Sequence, residues 1–173
     1  MAFLNCEDVP MTQASKGIFG HLSTAGRAPR PGTMPFKLWT RITAFNTVVY
    51  RATRGRIGGS MDGAPVVLVH HVGRKSGEER VAPLLYLPDG DDVVIVASYG
   101  GAPKNPAWYH NLTANPDTQI ELKGRKISVR AETVNEAERA ELWPRIVAMY
   151  PAFAEYAART ERVIPVVRLR PVS

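Results

Sequence analysis

The chain of 173 residues lacks the features that mark several extreme classes of protein. It contains one cysteine, Cys6, so it cannot form an internal disulfide. No apolar run reaches the roughly 18 residues of a membrane-spanning helix. The first residues are acidic and lack the basic start of a secretory signal. These absences favour a globular protein in a reducing compartment, and we expect a cytoplasmic location.

Common catalytic motifs are missing as well. The sequence has no Gly-x-Ser-x-Gly elbow and no Gly-x-Gly-x-x-Gly after a strand. The run Gly73–Gly77 contains a Lys-Ser pair, but Arg74 stands where a P-loop has glycine. His70 and His71 are adjacent in a predicted strand, so their side chains point to opposite faces and cannot chelate together. We therefore predict no metal site.

The net charge of +6 is concentrated in residues 35–60, which hold five basic residues and no acid. Apolar residues at helical spacing predict a basic amphipathic helix over 36–54. Two interpretations stay open: the helix packs on the core with a solvated basic face, or it also contacts anionic lipid. Lipid contact would place the protein peripherally at the inner face of the plasma membrane. We expect no nucleic-acid partner, because no groove-reading motif is present.

The rest of the chain predicts one domain, 35–173, preceded by a weakly ordered tail, 1–34, rich in glycine, proline, serine and threonine. Six apolar or β-branched runs predict strands, and two turn signals, Asp89-Gly90 and Lys123-Gly124-Arg125, predict hairpins. A capping box at Asn135 and Glu138 predicts a helix start, and Pro144 is expected to kink or split that helix. We predict an α+β fold, a small barrel of about six mostly antiparallel strands with short peripheral helices. The predicted strands are Val66–Val72, Val81–Leu87, Val93–Ala97, Thr118–Leu122, Ile127–Val134 and Val163–Leu169.

Two stretches carry chemistry. The loop Gly73–Arg80 offers three basic side chains and two glycines, which suit a phosphate or carboxylate ligand, although a solvated hairpin loop explains the composition equally well. The segment Ala97–Tyr109 leaves a buried strand through a Gly-Gly turn, which lets a flat ring approach the backbone. Trp108 and Tyr109 in that segment are also consistent with core residues.

The two stretches together resemble the deazaflavin (F420)-dependent nitroreductase family of actinobacteria, and the resemblance covers about residues 60–170. The motifs that carry it are Gly73-Arg74-Lys75-Ser76-Gly77, Arg80-Val81-Ala82-Pro83-Leu84, Ala97-Ser98 with Gly100-Gly101, Lys104-Asn105-Pro106-x-Trp108-Tyr109, Asn111-Leu112 with Ala114-Asn115-Pro116, and Met149-Tyr150-Pro151.

The resemblance implies a split β-barrel, non-covalent coenzyme F420 and hydride transfer from F420H2 to an activated acceptor. In such proteins the basic loop holds the anionic tail, and the strand-to-helix turn lies along the deazaflavin. Substrate-side tyrosines on the late helices point to Tyr150 and Tyr156, with Ser98 as a further catalytic candidate. The implied tail residues are Arg74, Lys75, Ser76, Gly77 and Arg80, and the implied ring-side residues are Pro83, Ala97, Ser98, Tyr99, Gly100, Gly101, Asn105 and Trp108.

The sequence departs from the family near the substrate. Phe153 occupies the middle of three positions that are tyrosines in the nitroimidazole- and menaquinone-reducing member, and Tyr99 replaces a lysine in its turn. The acceptor therefore stays open among conjugated enones, quinones and nitroaromatics. Two alternatives also remain: an FMN-binding split barrel, which needs fewer basic groups, and a non-catalytic F420-binding or membrane-surface module. We expect a monomer.

Overall fold

The computed structural model describes residues 50–52 and 58–172. The predicted tail, 1–34, and most of the predicted helix over 36–54 lie outside these residues, but Tyr50–Ala52 are helical. The described strands are β1 (Ser60–Met61), β2 (Ala64–Val72), β3 (Glu79–Asp89), β4 (Asp92–Val96), β5 (Asp117–Leu122), β6 (Arg125–Thr133) and β7 (Val166–Pro171). The described helices are α1 (Ala107–Ala114), α2 (Glu136–Met149) and α3 (Ala152–Ala158), with a short 3-10 turn at Tyr99–Gly101.

Six of the strands close into an antiparallel barrel. Their order is β2-β3-β4-β7-β6-β5, and β5 pairs back with β2, while β1 extends the sheet beyond β2. This confirms the predicted barrel and all six predicted strands, with ends shifted by a few residues. The two-residue β1 was not predicted, because two residues carry no readable period.

Strand β2 shows why the barrel forms. Val67, Val69 and His71 point into the barrel, while Val66, Leu68 and His70 alternate with them on the outer face. Both faces are largely buried because Tyr50, which is 2% exposed, covers the outer face of Val66 and Leu68. The prediction that His70 and His71 face opposite ways is confirmed. His71 is buried, whereas His70 contacts Glu121 on the outer face.

Helices α2 and α3 cover the outer face of β4 and β7. The capping box that starts α2 is confirmed: Asn135 Oδ1 accepts from Glu138 N–H at 2.9 Å, and Glu138 Oε2 accepts from Asn135 N–H at 3.1 Å. The expectation that Pro144 splits this helix is wrong, because α2 is continuous from Glu136 to Met149. Leu142 and Ile146 lie on either side of Pro144 and are both buried in the cluster that includes Val94 and Val96 of β4, which stabilises the helix across the proline.

The hairpin turns are also confirmed. Strands β3 and β4 are joined at Gly90, with φ of +62°, and β5 and β6 at Lys123-Gly124, both with positive φ. Strand β4 is much shorter than β3, and its register with β3 runs only from Asp92 to Ile95. In the described part of the chain, no strand pairs with β3 over Glu79–Leu85 on the side away from β2. Within the described residues, Glu79–Leu85 is therefore an unpaired edge of β3 in the closed barrel.

Candidate active site

The open edge of β3 places the two motif-bearing stretches at its two ends. The basic loop precedes Glu79, and the chain leaves β4 at Ala97, opposite the point where the free part of β3 ends. Seven residues of strand span about 20 Å, which suits an elongated ligand. Pro83 lies midway and has no N–H to donate, a residue that a strand tolerates where its ladder is unpaired.

The basic loop is closed by its own backbone. Gly73 N–H donates to Glu78 O at 2.8 Å, and Gly77 N–H donates to Gly73 O at 2.7 Å. Ser76 Oγ accepts from Glu78 N–H at 3.3 Å, which leaves the hydroxyl proton of Ser76 available to a ligand. The loop is exposed from Arg74 onward, so its side chains face solvent rather than the core.

The cations of this loop differ in their partners. Arg80 Nη2 lies 2.7 Å from Glu78 Oε2, and both side chains are more than half exposed, so the pair is weak and opens readily to another anion. Among the residues that the structure describes, no acid pairs with Arg74 or Lys75. These two side chains are therefore the best anion-binding groups of the loop.

The glycine turn has a left-handed backbone at three successive residues. Tyr99, Gly100 and Gly101 have φ of +48°, +64° and +78°. Tyr99 carries a side chain in a region that favours glycine, a form of strain that is concentrated at functional sites. A Cβ on Gly101 would stand 2.7 Å from the carbonyl oxygen of Tyr156, so the turn packs directly on α3.

Arg162 holds this turn and was missed in the sequence. Its Nε donates to Ala102 O at 2.8 Å, its Nη1 to Asn105 Oδ1 at 2.7 Å, and its Nη2 to Ser98 O at 2.8 Å and Ala97 O at 3.1 Å. Burial lowers the pKa of the guanidinium. A single arginine outside any family motif gives no local signal, because its partners lie about 60 residues away in the sequence.

These contacts decide what each turn residue can offer a ligand. Ala97 is fully buried, its carbonyl accepts from Arg162 and its N–H donates to Pro165 O at 2.9 Å. The Ser98 hydroxyl and the Asn105 Nδ2 group make no hydrogen bond within the described residues, so both are available. Trp108 is 9% exposed and belongs to the barrel interior. This agrees with its interpretation as a core residue.

The two candidate tyrosines lie in an aromatic row. Tyr150 and Phe153 meet edge to face with ring centroids 5.2 Å apart, and Phe153 and Tyr156 do so at 6.1 Å. Burial, the neighbouring Tyr156 and its hydrogen bond raise the pKa of Tyr150 to about 12. Tyr150 therefore keeps its proton at neutral pH, and its hydroxyl is able to donate a hydrogen bond.

Other features of the described residues lie apart from this arrangement. No group of three or more histidine, cysteine or acidic side chains there is placed to hold a metal ion. No described helix is long and apolar enough to cross a membrane. A small pocket of about 120 Å³ lies between α1, β6 and β7 and does not include the loop or the glycine turn. This pocket is therefore separate from the candidate site, which consists of the unpaired edge of β3 with the basic loop and the glycine turn at its ends.

The described residues form an antiparallel barrel, with an exposed basic loop and a glycine turn at the two ends of the unpaired edge of β3. The model of the F420H(2)-dependent quinone reductase family matches residues 39–171. An F420H(2)-dependent quinone reductase of Mycobacterium tuberculosis is 42% identical over 134 residues, which cover 75% of this chain and 89% of the relative. The chain therefore belongs to the F420H(2)-dependent quinone reductase family.

Solved structures agree with this assignment. The structure of an F420-H2 dependent reductase, FDR-A, is 36% identical, has a TM-score of 0.57 and covers 61% of this chain and 94% of its own. A second structure, described as a domain-swapped dimer, is 32% identical, has a TM-score of 0.59 and covers 78% of this chain and 98% of its own. The expected monomer gains no support from that relative.

The predicted split barrel and oxidoreductase class are confirmed. The protein is an F420H2-dependent reductase, and its cofactor is coenzyme F420.

Proposed function

We propose that the chain reduces a quinone-type acceptor with F420H2, with the cofactor along the open edge of β3. The observation that carries this proposal is the packing of Gly101 on the backbone of Tyr156, since it brings the turn for the ring beside the tyrosines for the acceptor. The names of the relatives, which are quinone reductases, support the acceptor class. Conjugated enones and nitroaromatics have the same electron-poor character and are the next acceptors to test.

The proposed tail site uses the loop. Arg74 and Lys75 supply the charge, Arg80 joins them when its exposed pair with Glu78 opens, and Ser76 and Gly77 offer hydroxyl and backbone donors. A tail with several anionic groups matches three cations better than the single phosphate of FMN. This match favours F420 over FMN on the charge of the loop alone.

The proposed ring site uses the turn and the exposed edge. Pro83, Tyr99, Gly100 and Gly101 supply the surface along the ring. Ser98 Oγ and Asn105 Nδ2 supply hydrogen bonds to its polar rim. Ala97 and Trp108 are buried in the barrel, so they support the turn from the barrel interior and do not contact the ring directly.

The chemistry divides between cofactor and protein. When bound, F420H2 supplies a hydride to an electron-poor acceptor. Tyr150 holds a proton on its hydroxyl oxygen, because its pKa is raised to about 12, and donates a hydrogen bond to the acceptor oxygen that gains negative charge. Tyr156 adds to the raised pKa of Tyr150, and Phe153 contacts the rings of both tyrosines edge to face.

Alanine variants of the loop test the tail site. Arg74→Ala and Lys75→Ala should each weaken F420 binding, and the loss should shrink at high salt because exposed charges are screened. Lys126→Ala removes an exposed cation from β6, which carries neither the loop nor the glycine turn, and serves as the control. Unchanged F420 affinity in the double variant Arg74→Ala/Lys75→Ala would overturn the tail site.

A separate proposal concerns the membrane surface. We propose that residues 36–54 bind anionic lipid peripherally through their basic side chains. Arg51 is unsuited to this role, because its Nε lies 3.0 Å from the buried carboxylate of Glu121. Salt-sensitive binding to anionic vesicles and none to neutral vesicles is the expected result, and equal binding to both would refute it.

A further inference from the structure

The basic loop is attached to the barrel by one buried side chain. Asn111, on α1, is 6% exposed, and its Oδ1 accepts from the backbone N–H of Arg74 at 3.1 Å. The other end of the same amide, Nδ2, lies 2.9 Å from Nδ1 of His71. His71 is 8% exposed and is the last inward-facing residue of β2 before the loop begins.

The chemistry of an amide fixes the state of His71. An amide oxygen only accepts and an amide nitrogen only donates. Because Oδ1 serves the N–H of Arg74, Nδ2 donates to His71, and Nδ1 of His71 must be an unprotonated acceptor. A protonated imidazole would present N–H to NH2. Turning the amide over would relieve that contact but would set NH2 against the N–H of Arg74. The two hydrogen bonds therefore coexist only with a neutral His71.

The surroundings of His71 favour the neutral ring. Burial, the charge of Arg80 and that of His70 lower the pKa of His71, in that order. Arg80 lies directly opposite on β3, and His70 is adjacent on β2 but turned to Glu121. The helix packed over His71 contributes the neutral Asn111, and its titratable residues Tyr109 and His110 contact each other.

We propose that Asn111 and His71 are positioning residues for the anionic tail of F420, and that protonation of His71 releases the backbone of Arg74 and weakens cofactor binding in acid. This inference rests on the tail site proposed above. Linkage to one proton limits the effect to about tenfold in affinity per pH unit below the pKa of His71.

The variant Asn111→Asp should keep the loop attached when His71 is protonated. A carboxylate accepts from the N–H of Arg74 and also from a protonated His71, so the loop stays attached in both states. We expect the pKa of His71 to rise in this variant and the His71-linked acid loss of F420 affinity to disappear. The added negative charge weakens binding overall, so the diagnostic quantity is the pH dependence and not the affinity itself.

The test combines a titration of the free protein with a binding experiment. NMR follows the ring of His71 and the backbone amide of Arg74 in the unliganded protein, and fluorescence follows F420 binding from about pH 8 to about pH 5. His70→Gln is the matched control, because it removes the neighbouring histidine on the opposite face of β2. The amide of Arg74 and the F420 affinity should both follow the titration of His71 in the wild type and in His70→Gln.

The possible results distinguish failure of this inference from failure of the proposed tail site. In the wild type, an amide of Arg74 that ignores the titration of His71 overturns the inference, whatever Asn111→Asp shows. The inference also fails if F420 binds and its pH dependence is the same in wild type and Asn111→Asp. If the amide of Arg74 follows the titration of His71 but F420 does not bind near pH 8, the link from His71 through Asn111 to Arg74 is supported and the proposed tail site is wrong.

Discussion

A methyl group placed on Gly101 would lie 2.7 Å from the carbonyl oxygen of Tyr156, so the glycine turn and helix α3 meet backbone to backbone. The same methyl would lie 2.9 Å from Cβ of Arg159. Neither neighbour is the end of a flexible side chain, so a larger residue must move the turn, the helix or both. This contact links the two halves of the proposed site.

Gly101→Ala should therefore separate the turn from the tyrosines. The left-handed φ of +78° adds a cost of about 1–2 kcal/mol for any residue with a Cβ. We expect a lower melting temperature and at least about tenfold weaker F420 binding, since about 1.4 kcal/mol is tenfold. Gly90→Ala is the matched control, because Gly90 has φ of +62° and open space around it. If both variants lose only stability and bind F420 alike, the contact does not shape the site.

Arg162→Lys tests whether the turn depends on the fork of a guanidinium. Lysine keeps the charge but cannot reach four acceptors in one plane. Each hydrogen bond from a charged group contributes about 1.5–3 kcal/mol, so a loss of about 2–3 kcal/mol in the free energy of unfolding is expected. F420 affinity should fall as well, measured well below the melting temperature. Arg130→Lys, at the exposed pair with Asp117, should change neither quantity, and an equal effect there would contradict the assignment.

Tyr150 should stay protonated far into the alkaline range. Burial raises its pKa first, and Tyr156 adds to that effect, which brings the value to about 12. In Tyr156→Phe the pKa of Tyr150 should fall towards its ordinary value of about 10, as read from the ultraviolet spectrum of tyrosinate. An unchanged titration would show that the two hydroxyls are not coupled.

Tyr150→Phe tests the donor role directly. Loss of one donor to a developing oxyanion lowers kcat by about 10²-fold in comparable sites, while the affinity for F420 should be unchanged. Tyr86→Phe is the control, because Tyr86 is buried in the barrel interior. If Tyr150→Phe keeps full kcat, Tyr150 is not the donor and contributes only packing to the acceptor side of the site.

Glu121→Gln should remove part of the acid sensitivity of the fold. The hydrogen bond from Arg51 lowers the pKa of Glu121, and that from His70 adds to it. A lowered pKa in the folded state stabilises the protein above the unfolded pKa, near 4.3, and this stabilisation is lost as the pH falls through the folded value. Because Arg51 is 45% exposed, the variant should lose only about 1–2 kcal/mol near neutral pH.

Denaturant unfolding near neutral pH and in acid measures this difference, which should shrink on acidification. Glu132→Gln, at an exposed pair with Arg170, is the control and should differ little from the wild type. A difference between Glu121→Gln and wild type that is the same at both pH values would contradict the assigned pKa direction.

Most of the barrel could be predicted from the sequence because its signals are local. The apolar run of β2, the hairpin turns and the capping box at Asn135 each lie within a few residues, and each was found in the structure. The helix is not split at Pro144, and we attribute this to the burial of Leu142 and Ile146 on either side of it, which offsets the hydrogen bond that proline cannot donate.

The residues that hold the candidate site could not be predicted, because their partners are distant in sequence. Arg162 contacts a turn about 60 residues earlier, and Asn111 connects residues 37 and 40 positions away. The exposed pair between Arg80 and Glu78 was also not predicted from the sequence. Only the three-dimensional pairing of β3, open along Glu79–Leu85, relates the loop to the turn.

The most direct measurement is the binding of F420 against FMN to the purified protein by fluorescence titration, followed by oxidation of F420H2 with menadione, cyclohexenone and a nitroarene. We expect tight F420 binding, weak or no FMN binding, and the fastest turnover with the quinone. Binding of FMN without F420, or F420 binding without turnover of any acceptor, would contradict the proposed function.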